Sequence, residues 1–230
     1  MPTKGRHQFA MQAVESFLSQ LYPWKELIIV DDMQEPSFLE PLRDPQIHYY
    51  REFATAGLGL KRNRCCHLAN GSIICHWDDD DWSSPQRMGD QVCRLEDTLK
   101  QVTGYRTMLF YDPLNEPHWG RYAEQADYAL GTSLCYWKSW WEQNPFIDIP
   151  FGNRLCVGED NDFIYRAQQA GQFICSDGLG IMVARIHTGC TSPKNITDYR
   201  PVDSRMIPAG FMKYAKRATI RSDHLPETKD

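Results

Sequence analysis

The sequence predicts an α/β fold in which a mostly parallel central sheet is flanked by helices and followed by a smaller lobe. Three observations carry this. Glu26-Leu27-Ile28-Ile29-Val30 is a near-continuous apolar run, as expected of a parallel strand covered on both faces. Strand-like and helix-like segments alternate with short links through the first half of the chain. Two strand-like runs end in acidic tips, Asp31-Asp32 and Asp78-Asp79-Asp80-Asp81. Open α/β sheets hold their ligands beyond such strand ends.

The elements follow in order. Met1 to Arg6 reads as a loop. Phe9, Ala13, Phe17 and Leu21 then repeat at i, i+4, and Ala10, Val14 and Leu18 widen the stripe into a helix face. Tyr22-Pro23 stops that helix, because proline cannot continue it. After the 26–30 strand, a short helix is expected near Phe38–Leu42 and a strand from Gln46 to Arg51. Gly57-Leu58-Gly59 opens a helix carrying Lys61, Arg62 and Arg64, with Asn70-Gly71 as its closing signal. Ile73-Ile74-Cys75 is the strand into the four aspartates. Pro85 suits the first turn of the next helix, and Met88, Val92, Leu95 and Leu99 give it an apolar stripe.

The second half is less regular. Met108–Asp112 and Ala129–Tyr136 read as strands, and Trp137 to Trp141 as a helix start. Gly158-Glu159-Asp160 precedes a helix through Phe163–Ala167 that Gly171 closes. Gln172–Cys175 and Gly180–His187 are late strands. One domain over residues 1–218 is expected, with halves 1–105 and 106–218 and a polar tail at 219–230.

Composition narrows the function classes. At 230 residues the chain is long enough for a sizeable core. A net charge of −5 and a pI near 5.8 argue against nucleic acid as a partner. No stretch approaches the ~20 apolar residues of a membrane span, and the polar start MPTKGRHQF is no signal peptide. None of the eight cysteines forms a CxxC pair and several lie in apolar runs. They read as buried free thiols in a reducing, cytoplasmic setting.

The aspartates carry the chemistry. Adjacent carboxylates at the end of an apolar strand repel one another, and burial raises that cost unless a cation compensates. Alternation along an extended segment puts Asp78 and Asp80 on one side and Asp79 and Asp81 on the other. One such pair can hold Mg²⁺ or Mn²⁺, ions that share their shell between carboxylates, water and substrate phosphates. The bland alternative is a solvated turn leading into a helix through Ser83-Ser84-Pro85.

Other candidates have bland alternatives as well. Asp31-Asp32 can be a turn, and Lys61, Arg62 and Arg64 a solvated helix face. Glu159 and Asp160 suit any helix N-terminus, and His187 can be structural. Trp77 and Trp82 can stack on a sugar or base, or pack in the core. Trp137, Trp140, Trp141 and Phe146 can form an acceptor platform, a peripheral membrane-facing patch, or core. Gly57-Leu58-Gly59 is neither a GxGxxG nor a P-loop.

Five segments, in one order, resemble the family 2 glycosyltransferases. They are MPTKGR, VESFLSQLYPWKELIIVDD, GLKRNRCCHLANGSII, WDDDDWSSPQRM and GEDNDFIYRAQQAG, and together they span most of residues 1 to 190. The resemblance implies a Rossmann-like GT-A fold, with residues 1–105 on the nucleotide sugar and 106–218 on the acceptor. It also implies metal-dependent, inverting transfer from a nucleotide-diphosphate sugar, a UDP-sugar being favoured. Thr3 and Asp32 or Asp31 would line the nucleoside pocket, Arg62 would hold the nucleotide, and Asp79 would sit beside them. Asp78 and Asp80 would be the Asp-x-Asp pair on Mn²⁺ or Mg²⁺, His187 a further metal or phosphate contact, and Asp160 the general base, with Glu159 as its competitor. The acceptor would be a glycan, a lipid carrier or a small molecule. Two features depart from the family. Only Met1 precedes Pro2 where members carry a hydrophobic strand, and the Gln-x-x-Arg-Trp motif of processive members is absent. The competing reading is a carbohydrate- or protein-binding module that keeps the fold without catalysis.

Overall fold

The computed structural model describes residues 1–33, 39, 43–52, 57–123, 127–148, 158–188, 190, 194–212 and 214–215. The helix expected near Phe38–Leu42 and the polar tail lie outside the described residues, apart from Leu39, which is buried in the core.

The N-terminal half builds a three-stranded parallel sheet. Strand β1 (Pro2–Thr3) pairs with β2 (Leu27–Asp31), which pairs with β3 (Ile47–Arg51). All five residues of β2 are buried, as its apolar run requires. The Met1 backbone extends β1 by one step, with its N-terminal amine donating to the Ile28 carbonyl at 2.6 Å and its carbonyl accepting from Val30 N at 3.0 Å. Helix α1 (His7–Leu18) lays Ala10, Ala13, Val14 and Phe17 into the core. The expected stripe runs one turn too far, because Leu21 lies beyond the helix and is 71% exposed.

Helix α2 (Leu58–Leu68) follows Gly57, and β4 (Ile73–Cys75) delivers the four aspartates. The expected Asn70-Gly71 closure takes another form. Ala69 is extended, and Glu26 instead accepts from the amides of Asn70 and Gly71. After the two-residue β5 (Trp82–Ser83), helix α3 (Arg87–Thr98) begins two residues past Pro85, so that proline precedes the helix rather than opening it. Leu99 takes the left-handed conformation at its end and is 80% exposed, leaving Val92 and Leu95 as the buried stripe.

The second half contains two mixed sheets. In one, the order is β10 (Phe173–Ser176), β6 (Val102–Tyr105), β9 (Cys135–Trp137), β4. In the other it is β5, β11 (Met182–Arg185), β7 (Thr107–Tyr111), β8 (Trp119–Ala123). Strands β6 and β8 carry no apolar run long enough to announce them; β6 reads Val-Thr-Gly-Tyr and is nonetheless wholly buried. The expected 129–136 strand is shorter, because Gly131–Ser133 forms a 3-10 turn ahead of β9. Helices α4 (Lys138–Gln143) and α5 (Glu159–Gln169) complete the described set, and Gly171 at φ +64° turns the chain out of α5.

The aromatic candidates pack inward. Trp77 is 5% exposed and donates to the Ala13 carbonyl at 3.0 Å, and Trp82 packs edge-on against Phe211. Phe146 stacks on Phe163, and Trp140 and Trp141 pack against that same cluster. The seven described cysteines are free thiols.

Candidate active site

The four aspartates line one cleft of about 440 Å³ together with Arg6, Arg62, Gly131, Thr132, Glu159, Asp160 and Cys190. Each aspartate has its own partner. Arg62 lies 3.2 Å from Asp78. Thr3 Oγ1 donates to Asp79 at 2.6 Å, and Arg6 bridges Asp79 and Asp80 at 2.8 and 2.7 Å. Asp80 meets His187 Nε2 at 3.0 Å. Asp81 accepts from the Thr132 hydroxyl and from Arg185 N.

Burial and mutual repulsion separate these acids. Burial, then the charge of Asp80, pushes Asp79 and Asp81 each up to about 7. Burial also acts against ionised Asp78, but the Arg62 guanidinium outweighs it and holds that carboxyl well below its usual range. The hydrogen bond to Asp80 raises His187 to about 9, with Cys190 adding to the effect. Six carboxylates and four cationic side chains line the cleft. That excess of negative charge fits a divalent cation, and among the described residues the donor atoms close enough to share one belong to Asp80, His187 and Cys190, whereas Asp78, expected as a ligand, is held by Arg62 outside that group.

Arg62 links the acidic loop to α5. It is 6% exposed and lies 3.2 Å from Glu159 as well as from Asp78. Glu159 is therefore committed to a guanidinium, while burial raises its pKa. The Asp160 carboxylate accepts from Asn161 N at 2.9 Å and faces Gly131. Of the two acids it is the one not tied to Arg62 by a hydrogen bond.

Thr3, Arg62, Asp78, Asp79, Asp80, Asp160 and His187 thus converge on or beside the cleft. The strand-tip acids do not join them. Asp31 turns into its sheet, accepting from Tyr49 OH at 3.0 Å and from Met33 N at 3.0 Å. Asp32 meets Lys61 at 2.7 Å, and neither acid lines the cleft among the described residues.

Sequence reasoning missed Arg6, Arg87, Gly131, Thr132 and Cys190. Arg6 and Arg87 lie inside the segments MPTKGR and WDDDDWSSPQRM, where the resemblance assigns them no role; the others sit in no motif, although Gly131-Thr132 follows an apolar run and breaks it. A Cβ added at Gly131 would fall inside the Asp160 carboxylate. Gly131→Ala is expected to push that side chain aside and to slow turnover at least about tenfold by misplacing the base, with an unfolding midpoint close to wild type. Paired kinetics and thermal melts test this; equal kinetics would show that Asp160 has room to spare.

The sequence profile described as Glycosyl transferase family 2 matches residues 1–178. The chain belongs to this family. Two curated relatives agree. WcaA of Escherichia coli K12, which carries the name of a colanic acid biosynthesis glycosyl transferase, is 39% identical over 182 residues, covering 72% of this chain and 63% of WcaA. EpsE of Bacillus subtilis 168, named as a glycosyltransferase, is 32% identical over 106 residues, covering 43% of this chain and 38% of EpsE. The chain therefore spans under two thirds of each relative.

Solved structures show the same GT-A fold for this family 2 chain. Residues 1–349 of S. aureus TarS in complex with UDP-GlcNAc match with a TM-score of 0.65 at 17% identity, over 87% of this chain and 60% of that one. The mannosyltransferase PcManGT of Pyrobaculum calidifontis, in complex with GDP-Man and Mn²⁺, matches at 0.55 and 15%, over 80% and 54%.

Proposed function

We propose that this chain transfers a sugar from a nucleotide-diphosphate donor to an acceptor hydroxyl, with inversion at the anomeric carbon and without processive polymerisation. One observation carries the reading: the acidic loop after β4 and the Asp160 carboxylate at the start of α5 face a single cleft, joined through Arg62. Structural neighbours bound to UDP-GlcNAc, or to GDP-Man with Mn²⁺, support a nucleotide-sugar donor and a divalent ion.

Asp80 and His187 would hold the ion, Mn²⁺ or Mg²⁺, and Asp78, paired with Arg62, would add its charge from the same loop. When bound, it supplies charge neutralisation for the departing diphosphate. Thr3 and Asp79 would fix the ribose side of the donor, and Arg62 the nucleotide. Asp32 or Asp31 would line the nucleoside pocket beside Thr3, with Asp31 bonded to Tyr49 and Asp32 paired with Lys61. Asp160 would take the proton of the acceptor hydroxyl as it attacks from the face opposite the leaving group, which inverts the centre. Residues 1–105 would carry the donor and residues 106–218 the acceptor. The acceptor would be a glycan, a lipid-linked glycan or a small molecule. No helix among the described residues is long and apolar enough to cross a membrane. We assign the reaction to the cytoplasm, where nucleotide sugars and free thiols coexist.

Mass-spectrometric screening of nucleotide-sugar hydrolysis with Mn²⁺ tests the reading and reports the donor. A UDP-sugar is expected to be cleaved, with binding lost when the metal is chelated. Failure to bind any nucleotide sugar in the presence of Mn²⁺ would overturn it. Binding without cleavage, with acceptors supplied, would favour a non-catalytic module. Asp80→Ala is expected to lower turnover at saturating donor by about 10²-fold or more, since it removes a ligand of an ion that stabilises the leaving group. Wild-type metal dependence in that variant would remove Asp80 from the site.

A further inference from the structure

Cys190 lies outside every motif read from the sequence, yet its thiol is held at the cleft. Its amide donates to the His187 carbonyl at 3.1 Å, and His187 N donates back to its Sγ at 3.3 Å. The thiol in turn donates to the Arg185 carbonyl at 3.5 Å. These bonds present His187 and Cys190 together after β11, facing the acidic loop after β4. The Asp80 carboxylate, the His187 ring nitrogen and Cys190 Sγ all lie within 4.8 Å of one another. Ligands about 2.0–2.3 Å from one shared ion are separated by at most about 4.5 Å. The three donors therefore need only a small inward closure to share one ion.

We propose that Cys190 is a protein ligand of the cleft's divalent ion, completing an Asp80–His187–Cys190 set and biasing the site toward Mn²⁺ and other transition ions over Mg²⁺. This rests on the metal-dependent reading above. The chemistry follows from the donor set. Mg²⁺ takes hard oxygen ligands in near-octahedral geometry and is poorly served by sulfur, whereas imidazole and thiolate favour first-row transition ions. On binding, the Cys190 S–H proton and the His187 ring proton both leave to solvent as the metal–sulfur and metal–nitrogen bonds form, so uptake releases protons. Arg6 and His187 both meet the same Asp80 oxygen, at 2.7 and 3.0 Å, and of the groups around it His187 and Cys190 are the ones that can donate a lone pair to an ion. Serine can replace the thiol's hydrogen bonds to Arg185 and His187, so Cys190→Ser removes the soft donor with little cost to the fold.

Co²⁺ is the probe, because a cobalt–thiolate bond adds a near-ultraviolet charge-transfer band to the visible d–d bands. The wild-type chain titrated with Co²⁺ is expected to show both. Cys190→Ser is expected to keep the d–d bands and lose the charge-transfer band. Its Mn²⁺ affinity, followed by the electron paramagnetic resonance of free Mn²⁺, should fall about tenfold to 100-fold, the range seen when supporting groups of a metal site are removed. Mg²⁺ affinity, measured by competition, should change far less. Visible bands without a charge-transfer band in the wild type, or a charge-transfer band that survives Cys190→Ser, would overturn the assignment. So would an unchanged ratio of Mn²⁺ to Mg²⁺ affinity. UDP binding, measured in parallel with Mn²⁺ present, separates the two levels. If UDP binds and the thiolate band is missing, Cys190 is not a ligand and the transferase reading stands. If neither metal nor UDP binds, both fall.

Discussion

Asp160→Asn is expected to bind a nucleotide sugar with near-wild-type affinity and to turn it over about 10²–10⁴-fold more slowly, the usual worth of a positioned general base. The substitution is nearly isosteric. The amide oxygen can still accept from Asn161 N, as the carboxylate does at 2.9 Å, and Gly131 leaves the same space for it. What is lost is proton affinity, together with one negative charge in the first turn of α5. That charge is worth about 0.3–1 kcal/mol against the helix dipole, and Glu159 and Asp162 remain in the same turn. A small stability change with a large rate change is therefore the expected signature. Steady-state kinetics alongside isothermal titration of the donor measures both. Glu159→Gln supplies the contrast. Glu159 is paired with Arg62, which also holds Asp78, so its loss should disturb donor binding as well as rate. If Glu159→Gln abolishes turnover while Asp160→Asn leaves it intact, the two roles are exchanged.

The acidic loop and α5 were legible because their chemistry is local. A run of aspartates after an apolar strand, and Glu-Asp opening a helix, each present their residues within a few positions. What joins them was not legible. Arg62 looks like any cation on a solvated helix face, yet it is buried between two acids, Asp78 and Glu159, that are 81 residues apart in the chain. The 26–30 run marked β2 correctly, but its Asp31 reads the same whether it faces a ligand or Tyr49. Periodicity also overran at helix ends: Leu21 and Leu99 continue the apolar spacing past the last turn and lie exposed. Strands β6 and β8 were invisible because burial there comes from neighbouring sheet partners, not from their own composition. The α/β character was carried by segments whose own sequence sets both period and cover.

Arg87 shows how far such tertiary placement reaches, and its removal should give the largest stability loss among the residues considered. It is 1% exposed. Its guanidinium donates to the carbonyls of His76 at 2.7 Å and Thr132 at 3.0 Å, to Ser83 Oγ at 2.9 Å and to Gln91 at 3.2 Å. It also lies over the Trp77 ring at 5.0 Å. One side chain on α3 thus pins the exit of β4 to the 131–133 turn that faces Asp160 and bonds Asp81. Arg87→Met keeps much of the volume and the contact with Trp77 but strands two buried carbonyls. Each unsatisfied buried group costs about 1–3 kcal/mol, so the two together should cost about 2–6 kcal/mol, with a mid-range of about 4 kcal/mol. For a chain of this size that lowers the unfolding midpoint by about 10–15 °C. Arg87→Lys restores a cation but not the planar fork, and one ammonium cannot reach all four acceptors, so it should recover only part of the loss. Differential scanning calorimetry of both variants measures this. A drop of less than about 2 °C in Arg87→Met would mean that water replaces the guanidinium at both carbonyls. In the variant that does unfold early, metal affinity below the transition should also fall, because the His76 carbonyl that Arg87 holds lies two residues before Asp78. A variant with normal metal uptake and reduced stability would show instead that Asp78 to Asp81 are held by Arg6, Arg62 and Thr132 without help from α3.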